Sequence, residues 1–386
     1  MINRTRHLAN LKNLLANNPI AAILGPRQIG KTTIARQVQS LHGSDTSWFD
    51  LESDQDRARL ADPETALKRL SGLIVIDEVQ EMPELFPILR VLSDDISGKR
   101  KFLILGSASP WLLKMTSESL AGRVGFLDLG GFTLDELGPS ASETLWCRGG
   151  FPRAFLSSDD RESIEWRLSL IRTYIERDLP QYGLNLPPAA VRRFWTMLAH
   201  YHGQVINVSE LGRSFGVSNH TVQRYLDILQ SVFMIKLLQP WHENIGKRQV
   251  KSPKLYFFDT GILHALLNLT SYDDIMSHPK AGFSWESFAM TQVMDAMNAR
   301  PEECFFWTTH TGAELDLLLV RGKLRLGFEF KMAGAPSTTK SMKIAQGDLK
   351  LDRLYVIHRG EHVFPIGKGI DGVPLEKVMT FGFLSE

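Results

Sequence analysis

The stretch Gly25-Pro26-Arg27-Gln28-Ile29-Gly30-Lys31-Thr32 constrains this chain more than any other feature. It follows a short apolar run at residues 20–24 and opens a helix-like pattern from Thr33 onward, so it reads as strand, glycine loop, helix. Its glycines let successive backbone N–H groups turn inward around phosphates, and the N-terminus of the following helix adds partial positive charge. Lys31 then bridges the β- and γ-phosphates of a nucleotide, and Thr32 ligates magnesium. Such a loop needs a parallel sheet to hold it. Further apolar runs at residues 48–51, 73–76, 102–105 and 124–129 alternate with helix-like stretches, the pattern of buried strands covered by helices on both faces. The expected fold class is α/β.

The 386 residues exceed what one hydrophobic core serves, so several domains are expected. With 43% hydrophobic and 23% charged residues, the composition excludes a disordered or low-complexity chain. Lys plus Arg (44) against Asp plus Glu (43) leaves a net charge of +1, so a nucleic-acid surface would have to be a local patch. Cys147 and Cys304 stand far apart with no CxxC neighbour, which argues against a disulfide framework or a zinc site and suits a reducing cytoplasm. The apolar runs fall short of the roughly 20 residues of a membrane span, so no membrane partner is expected. Composition shifts divide the chain into four segments: 1–138 for the nucleotide, a helical lid at 139–202, a helix-turn-helix unit at 203–255, and a mixed α/β unit at 256–386.

A second apolar run ends in Asp77-Glu78, a Walker B arrangement. Asp77 at the strand tip can hold Mg²⁺ through water, and Glu78 can polarise the water that attacks the γ-phosphate. A third run delivers Ser107 to the same sheet edge, either to orient that water or as a turn serine. In Ser119-Leu120-Ala121-Gly122-Arg123 the arginine stands where it could reach a neighbouring subunit's nucleotide. These features together resemble the AAA+ ATPases. More narrowly, the GSAS and SLAGR segments, Gly149-Gly150-Phe151-Pro152 and Tyr174-Ile175-Glu176-Arg177-Asp178 resemble a prokaryotic subfamily with a C-terminal domain of uncharacterised function. The resemblance implies an oligomeric ring that hydrolyses ATP, with Arg123 acting in trans and Arg153 and Arg177 as further candidates for sensing the γ-phosphate.

Residues 209–215 read as a short helix, Gly216-Val217-Ser218 as a tight turn, and residues 219–230 as a second helix with Val222, Tyr225, Leu226 and Leu229 on one face. That helix presents Asn219, His220, Gln223 and Arg224 outward, towards phosphates or base edges. A strand-like stretch follows, then a basic segment carrying Lys247, Arg248, Lys251 and Lys254 without an acid, which reads as a wing contacting DNA phosphates. The same unit can instead serve subunit packing.

Near the C-terminus, Glu286 lies on a helix, Asp316 on a strand, and Glu329 and Lys331 on one face of the next strand. This order resembles the PD-(D/E)xK superfamily of restriction-endonuclease-like domains. The resemblance implies Mg²⁺ on Asp316 and Glu329 and a water nucleophile assisted by Lys331, with a catalytically silent fold held by salt bridges as the alternative. The expected protein is a cytoplasmic ATPase that uses ATP and Mg²⁺, assembles into a homo-oligomer and acts on duplex or branched DNA. An ATP-gated nuclease and a nucleotide switch for a protein partner are the competing classes.

Overall fold

Ile20, Ala21, Ala22, Ile23 and Leu24 are buried on both faces of strand β1 (Ile20–Gly25), which is what an uninterrupted apolar run requires. The computed structural model describes residues 2–43, 45–95, 100–107, 115, 118–184, 186–243 and 250–383. Two units form: Met1–Gly131 with Ser231–Phe233, and Phe132–Gln230 with Met234–Glu386.

In the first unit, β1 pairs in parallel with β4 (Arg100–Ser107) on one side and β5 (Val124–Asp128) on the other. Strand β3 (Gly72–Asp77) lies beyond β4, and β2 (Thr46–Asp50) closes the edge, giving the order β2-β3-β4-β1-β5. All pairings are parallel, so every strand ends on the same edge. Because β4 is inserted between β3 and β1, the loop after β1 opens into the crevice where such sheets bind ligands. The helices α1 (Thr5–Asn17), α2 (Lys31–His42) and α3 (Leu85–Asp94) flank the sheet. Its core gathers Ile20, Leu24, Ile74, Ile76, Phe86, Leu89, Phe102 and Ile104. The five apolar runs of the sequence are these five strands.

The second unit begins with helices, among them α4 (Ser142–Arg148), α5 (Asp160–Thr173) and α6 (Pro188–His200). Strand β6 (Gln204–Val205), α7 (Val208–Phe215), α8 (Asn219–Ser231), β7 (Ile235–Pro240) and β8 (Lys254–Phe257) follow. After α9 (Thr260–Leu266) come α10 (Ala281–Ala296), β9 (Cys304–Thr308), β10 (Glu314–Arg321), β11 (Leu324–Lys331), α11 (Lys340–Leu349) and β12 (Arg353–His358). Strands β13 (Phe364–Gly367) and β14 (Ile370–Pro374) complete a nine-stranded sheet of order β13-β14-β12-β11-β10-β9-β7-β8-β6.

The first compact unit closes at Gly131, and the Phe132 N–H donates to Gly150 O at 2.7 Å within the second. One expected boundary changes. A division after residue 255 would cut β8, which pairs with both β6 and β7, while β7 in turn pairs with β9 through Gln239 and Pro240. The hairpin after the two short helices and the C-terminal strands therefore share one sheet. A join made by so few residues carries no local sequence signal.

Candidate functional site

The loop from Gly25 to Lys31 depends on backbone that other residues resist. Gly30 has φ +99° and Gln28 has φ 61°. A Cβ on Gly25 would stand 2.5 Å from the Leu129 carbonyl oxygen, so the close approach of loop and neighbouring chain requires glycine. Lys31 is 6% exposed and its Nζ donates to Gly25 O at 3.1 Å and Pro26 O at 3.0 Å. Burial lowers its pKa to about 8, opposed by the nearby charges of Glu78 and Asp77. The ammonium is thus held against its own loop by weak carbonyl partners that a phosphate can replace.

Thr32 Oγ1 donates to Asp77 Oδ2 at 2.8 Å, joining the loop to the end of β3. Burial raises the Asp77 pKa, and the Thr32 hydrogen bond works against that rise. A hydroxyl and a carboxylate oxygen side by side next to a phosphate loop are hard donors that fit Mg²⁺. Glu78 follows in the left-handed region, with φ 54° and ψ 48°. Its N–H donates to Asp77 Oδ1 at 3.0 Å, and its Oε2 accepts from Gln80 Nε2. A left-handed glutamate is strained backbone of the kind that accumulates at functional sites. Gln80 is the residue that sequence reasoning missed; its place two residues after the acid pair was the available signal. Ser107 ends β4 with its side chain 4% exposed and its Oγ without a hydrogen-bond partner among the described residues. Lys31, Thr32, Thr33, Asp77, Glu78 and Ser107 all lie at the carboxyl edge of the sheet.

Arg123 is engaged within its own unit. Its Nε donates to Asp94 Oδ1 at 2.6 Å and its Nη2 to Asp94 Oδ2 at 2.8 Å, a two-pronged ion pair with the end of α3. Arg153 and Arg177 are exposed and belong to the second unit.

In the second unit, Asn207 Oδ1 caps α7 by accepting from Glu210 N at 3.1 Å, and Gly216 ends it at φ 68°. Ser218 Oγ accepts from Thr221 N at 3.1 Å and so starts α8. Val222, Tyr225, Leu226 and Leu229 are buried, and Asn219, His220, Gln223 and Arg224 are exposed, both as the periodicity requires. Three of these polar side chains have local partners: Asn219 Nδ2 donates to Ser209 Oγ at 3.0 Å, Gln223 Nε2 to Asp227 Oδ1 at 2.9 Å, and Arg224 Nη2 to Gly183 O at 2.8 Å. Lys247 and Arg248 lie outside the described residues, and Lys251 is exposed.

Lys254 corrects the sequence reading. Expected in the basic wing with its charge towards DNA, it is 6% exposed and points into the acid cluster. Its Nζ lies 3.9 Å from Glu286 Oε1 and 4.0 Å from Asp316 Oδ1. The four expected residues do converge there. Lys331 Nζ sits 2.7 Å from Glu329 Oε2 and 3.8 Å from Asp316 Oδ2, Phe330 N donates to Asp316 Oδ2 at 3.1 Å, and Tyr256 Oη donates to Glu286 Oε1. Burial, then the Asp316 charge, pushes both Glu286 and Glu329 up to about 8. Burial works to lower Lys254 and Lys331, yet the surrounding carboxylates lift both above the ordinary lysine value. Glu329 Oε1 is buried without a hydrogen-bond partner among the described residues. The donor set does not fit the metal that the nuclease resemblance implies. Two ammonium groups already flank Asp316, and among the described residues no three His, Cys, Asp or Glu side chains are placed to hold an ion.

Comparison with known proteins matches three segments of the chain. Residues 17–138 match an AAA domain, residues 140–273 a domain of unknown function (DUF8612), and residues 281–378 a second domain of unknown function (DUF4143). The Walker-type ATPase PABY2304 of Pyrococcus abyssi superposes with a TM-score of 0.50 at 13% identity, over 69% of this chain and 96% of that one, a likeness of fold. Two uncharacterized proteins, of Mycobacterium bovis and Mycobacterium tuberculosis, are each 45% identical over the whole chain and 87% of their own length. The phosphate loop, the acid pair at the end of β3 and the matched AAA domain make the chain a P-loop ATPase, and it belongs to the same family as these mycobacterial proteins.

Proposed function

We propose that this ATPase works as a homo-oligomer on DNA, hydrolysing ATP with Lys31, Thr32, Asp77 and Glu78 and engaging the duplex through the helix-turn-helix and the hairpin that follows it. The backbone of Gly25, Pro26, Arg27, Gln28, Ile29 and Gly30 wraps the phosphates, and Lys31 leaves its two carbonyls to pair with them. Thr32 and Asp77 would hold the Mg²⁺ that accompanies the nucleotide, where the ion offsets phosphate charge. Glu78, beside Asp77 and steadied by Gln80, accepts the proton of the attacking water, and Ser107 orients that water. Arg123 completes a neighbour's site once released from Asp94.

The observation that carries the DNA reading is the element order β6-α7-α8-β7-β8, a helix-turn-helix closed by an antiparallel hairpin, with Asn219, His220, Gln223 and Arg224 exposed on α8. We read this order as a winged helix-turn-helix, whose second helix is the one that enters a groove. The test is ATP turnover with and without duplex, single-stranded and branched DNA; turnover that none of them alters, together with no binding in a salt series, removes DNA from the reading.

The order α10-β9-β10-β11-α11-β12 supports a restriction-endonuclease-like core as a second element of the reading, because Glu286, Asp316, Glu329 and Lys331 meet in it and Glu329 Oε1 is left open. Because its acids are already paired with two lysines, this core is read as a docking surface that leaves DNA intact with Mg²⁺; loss of intact DNA with Mg²⁺ would overturn that and make the chain an ATP-gated nuclease.

A further inference from the structure

Lys254 and Tyr256 stand two residues apart on β8, so both side chains leave the same face of the strand. That face meets Glu286 on α10 and Asp316 on β10. The Lys254 ammonium lies between Glu286 on α10 and Asp316 on β10, and the Lys331 ammonium between Asp316 and Glu329 on β11. Asp316 is therefore bracketed, Oδ1 by one lysine and Oδ2 by the other and by the Phe330 N–H.

We propose that Lys254 takes the place of a divalent cation in this cluster, so that the acid–lysine site is a metal-free ion network that clamps β8 to the α10–β10–β11 core. The proposal goes beyond the DNA reading and rests on no step of it. Its basis is where the charges sit. A divalent ion on Asp316 would stand beside two ammonium groups that are themselves about 4 Å from the same carboxylate, and like charges at that range in a buried site strongly oppose binding. Without a metal the cluster balances when one glutamate is ionised: two lysines face Asp316, Glu286 and Glu329, and burial raises both glutamates, so that the second can keep its proton. The network also has a mechanical consequence. The strand that returns from the basic segment is fastened to the acid core by Lys254 and by the Tyr256 hydroxyl on Glu286, so β8 is tied to α10 by side chains as well as by its sheet.

The test uses the full chain without nucleotide, in an Asp77→Asn background that removes the magnesium position beside the phosphate loop, and reads bound Mn²⁺ by electron paramagnetic resonance. With Lys254 intact, no Mn²⁺ is expected to bind. Adding Lys254→Met is expected to create about one site per chain, lost again on Asp316→Asn. Stoichiometric Mn²⁺ with Lys254 intact, lost on Asp316→Asn, overturns the proposal, as does a Lys254→Met chain that keeps its melting temperature and still binds none. If Lys254→Met does not fold, the double variant Lys254→Met/Glu286→Gln decides: it should recover folding because the stranded carboxylate is gone, and no recovery sinks the clamp. DNA cleavage and ATP turnover are measured on the same Lys254 and Asp316 variants with Asp77 restored, so that failure of the nuclease or ATPase reading is seen separately.

Discussion

Replacing Glu78 with Gln tests the hydrolytic assignment with the least collateral change. The substitution keeps the side-chain length and the Cβ, so the left-handed backbone at φ 54° is strained to the same degree. The amide oxygen of the new residue can still accept from Gln80 Nε2, preserving the local hydrogen bond. Stability should move by no more than about 0.5 kcal/mol, the range of substitutions that disturb no packing. What disappears is a carboxylate able to take the proton of the attacking water, a contribution of about 10²–10⁴-fold, or about 2.7–5.4 kcal/mol on the barrier. Nucleotide binding should survive, because Lys31, Thr32 and Asp77 remain. It should also become more sensitive to alkaline pH: Lys31, lowered to about 8 by burial, loses the Glu78 charge that opposes that lowering. Phosphate release at saturating ATP and fluorescent-nucleotide titrations from pH 7 to 9 read both effects. Turnover within threefold of the parent, at unchanged melting temperature, would refute the role given to Glu78.

Mixing Arg123→Ala chains with Lys31→Ala chains should restore part of the turnover that each lacks, since some interfaces regain both parts; a monomeric, concentration-independent ATPase rules this out. Neutralising Lys247, Arg248 and Lys251 should weaken DNA binding alike for all sequences and flatten its salt slope by about one unit per lost phosphate contact, whereas Lys254→Met should leave the slope unchanged because that ammonium is buried. Glu329 has a folded pKa raised to about 8 from 4.5, so its contribution to stability is fully present below about 4.5 and is lost as pH rises through about 8. Glu329→Gln should accordingly lose less melting temperature than the parent between pH 5 and 8.5, and parallel curves would show that Glu329 does not titrate there.

The elements built from local signals are legible in the chain itself. The phosphate loop is a run of eight residues whose chemistry is backbone and neighbour, so strand, glycine turn and helix all announce themselves within residues 20–39. The two short helices are equally local: Gly216 ends one, Ser218 starts the next, and the burial of Val222, Tyr225, Leu226 and Leu229 repeats the period of the helix. Acids placed at strand tips, such as Asp77, are legible because a parallel sheet delivers all its strand ends to one edge.

Partners that lie far apart in sequence are set by tertiary packing. Arg123 reads as a free cation until Asp94, 29 residues earlier, pairs with both of its prongs. Lys254 reads as the last charge of a solvated basic run, because a charge says nothing about which face of a strand will be covered. The alternation in Lys254-Leu255-Tyr256-Phe257 could have placed the lysine and tyrosine together, but only the meeting of β8 with α10 and β10 turns that face inward onto Glu286 and Asp316. Local propensity and periodicity depend on neighbours within a few residues, so the order of the amino acids is enough to specify them. The electrostatic role of a charged side chain depends on what the folded chain brings within about 4 Å of it, and that is settled only when distant strands and helices meet.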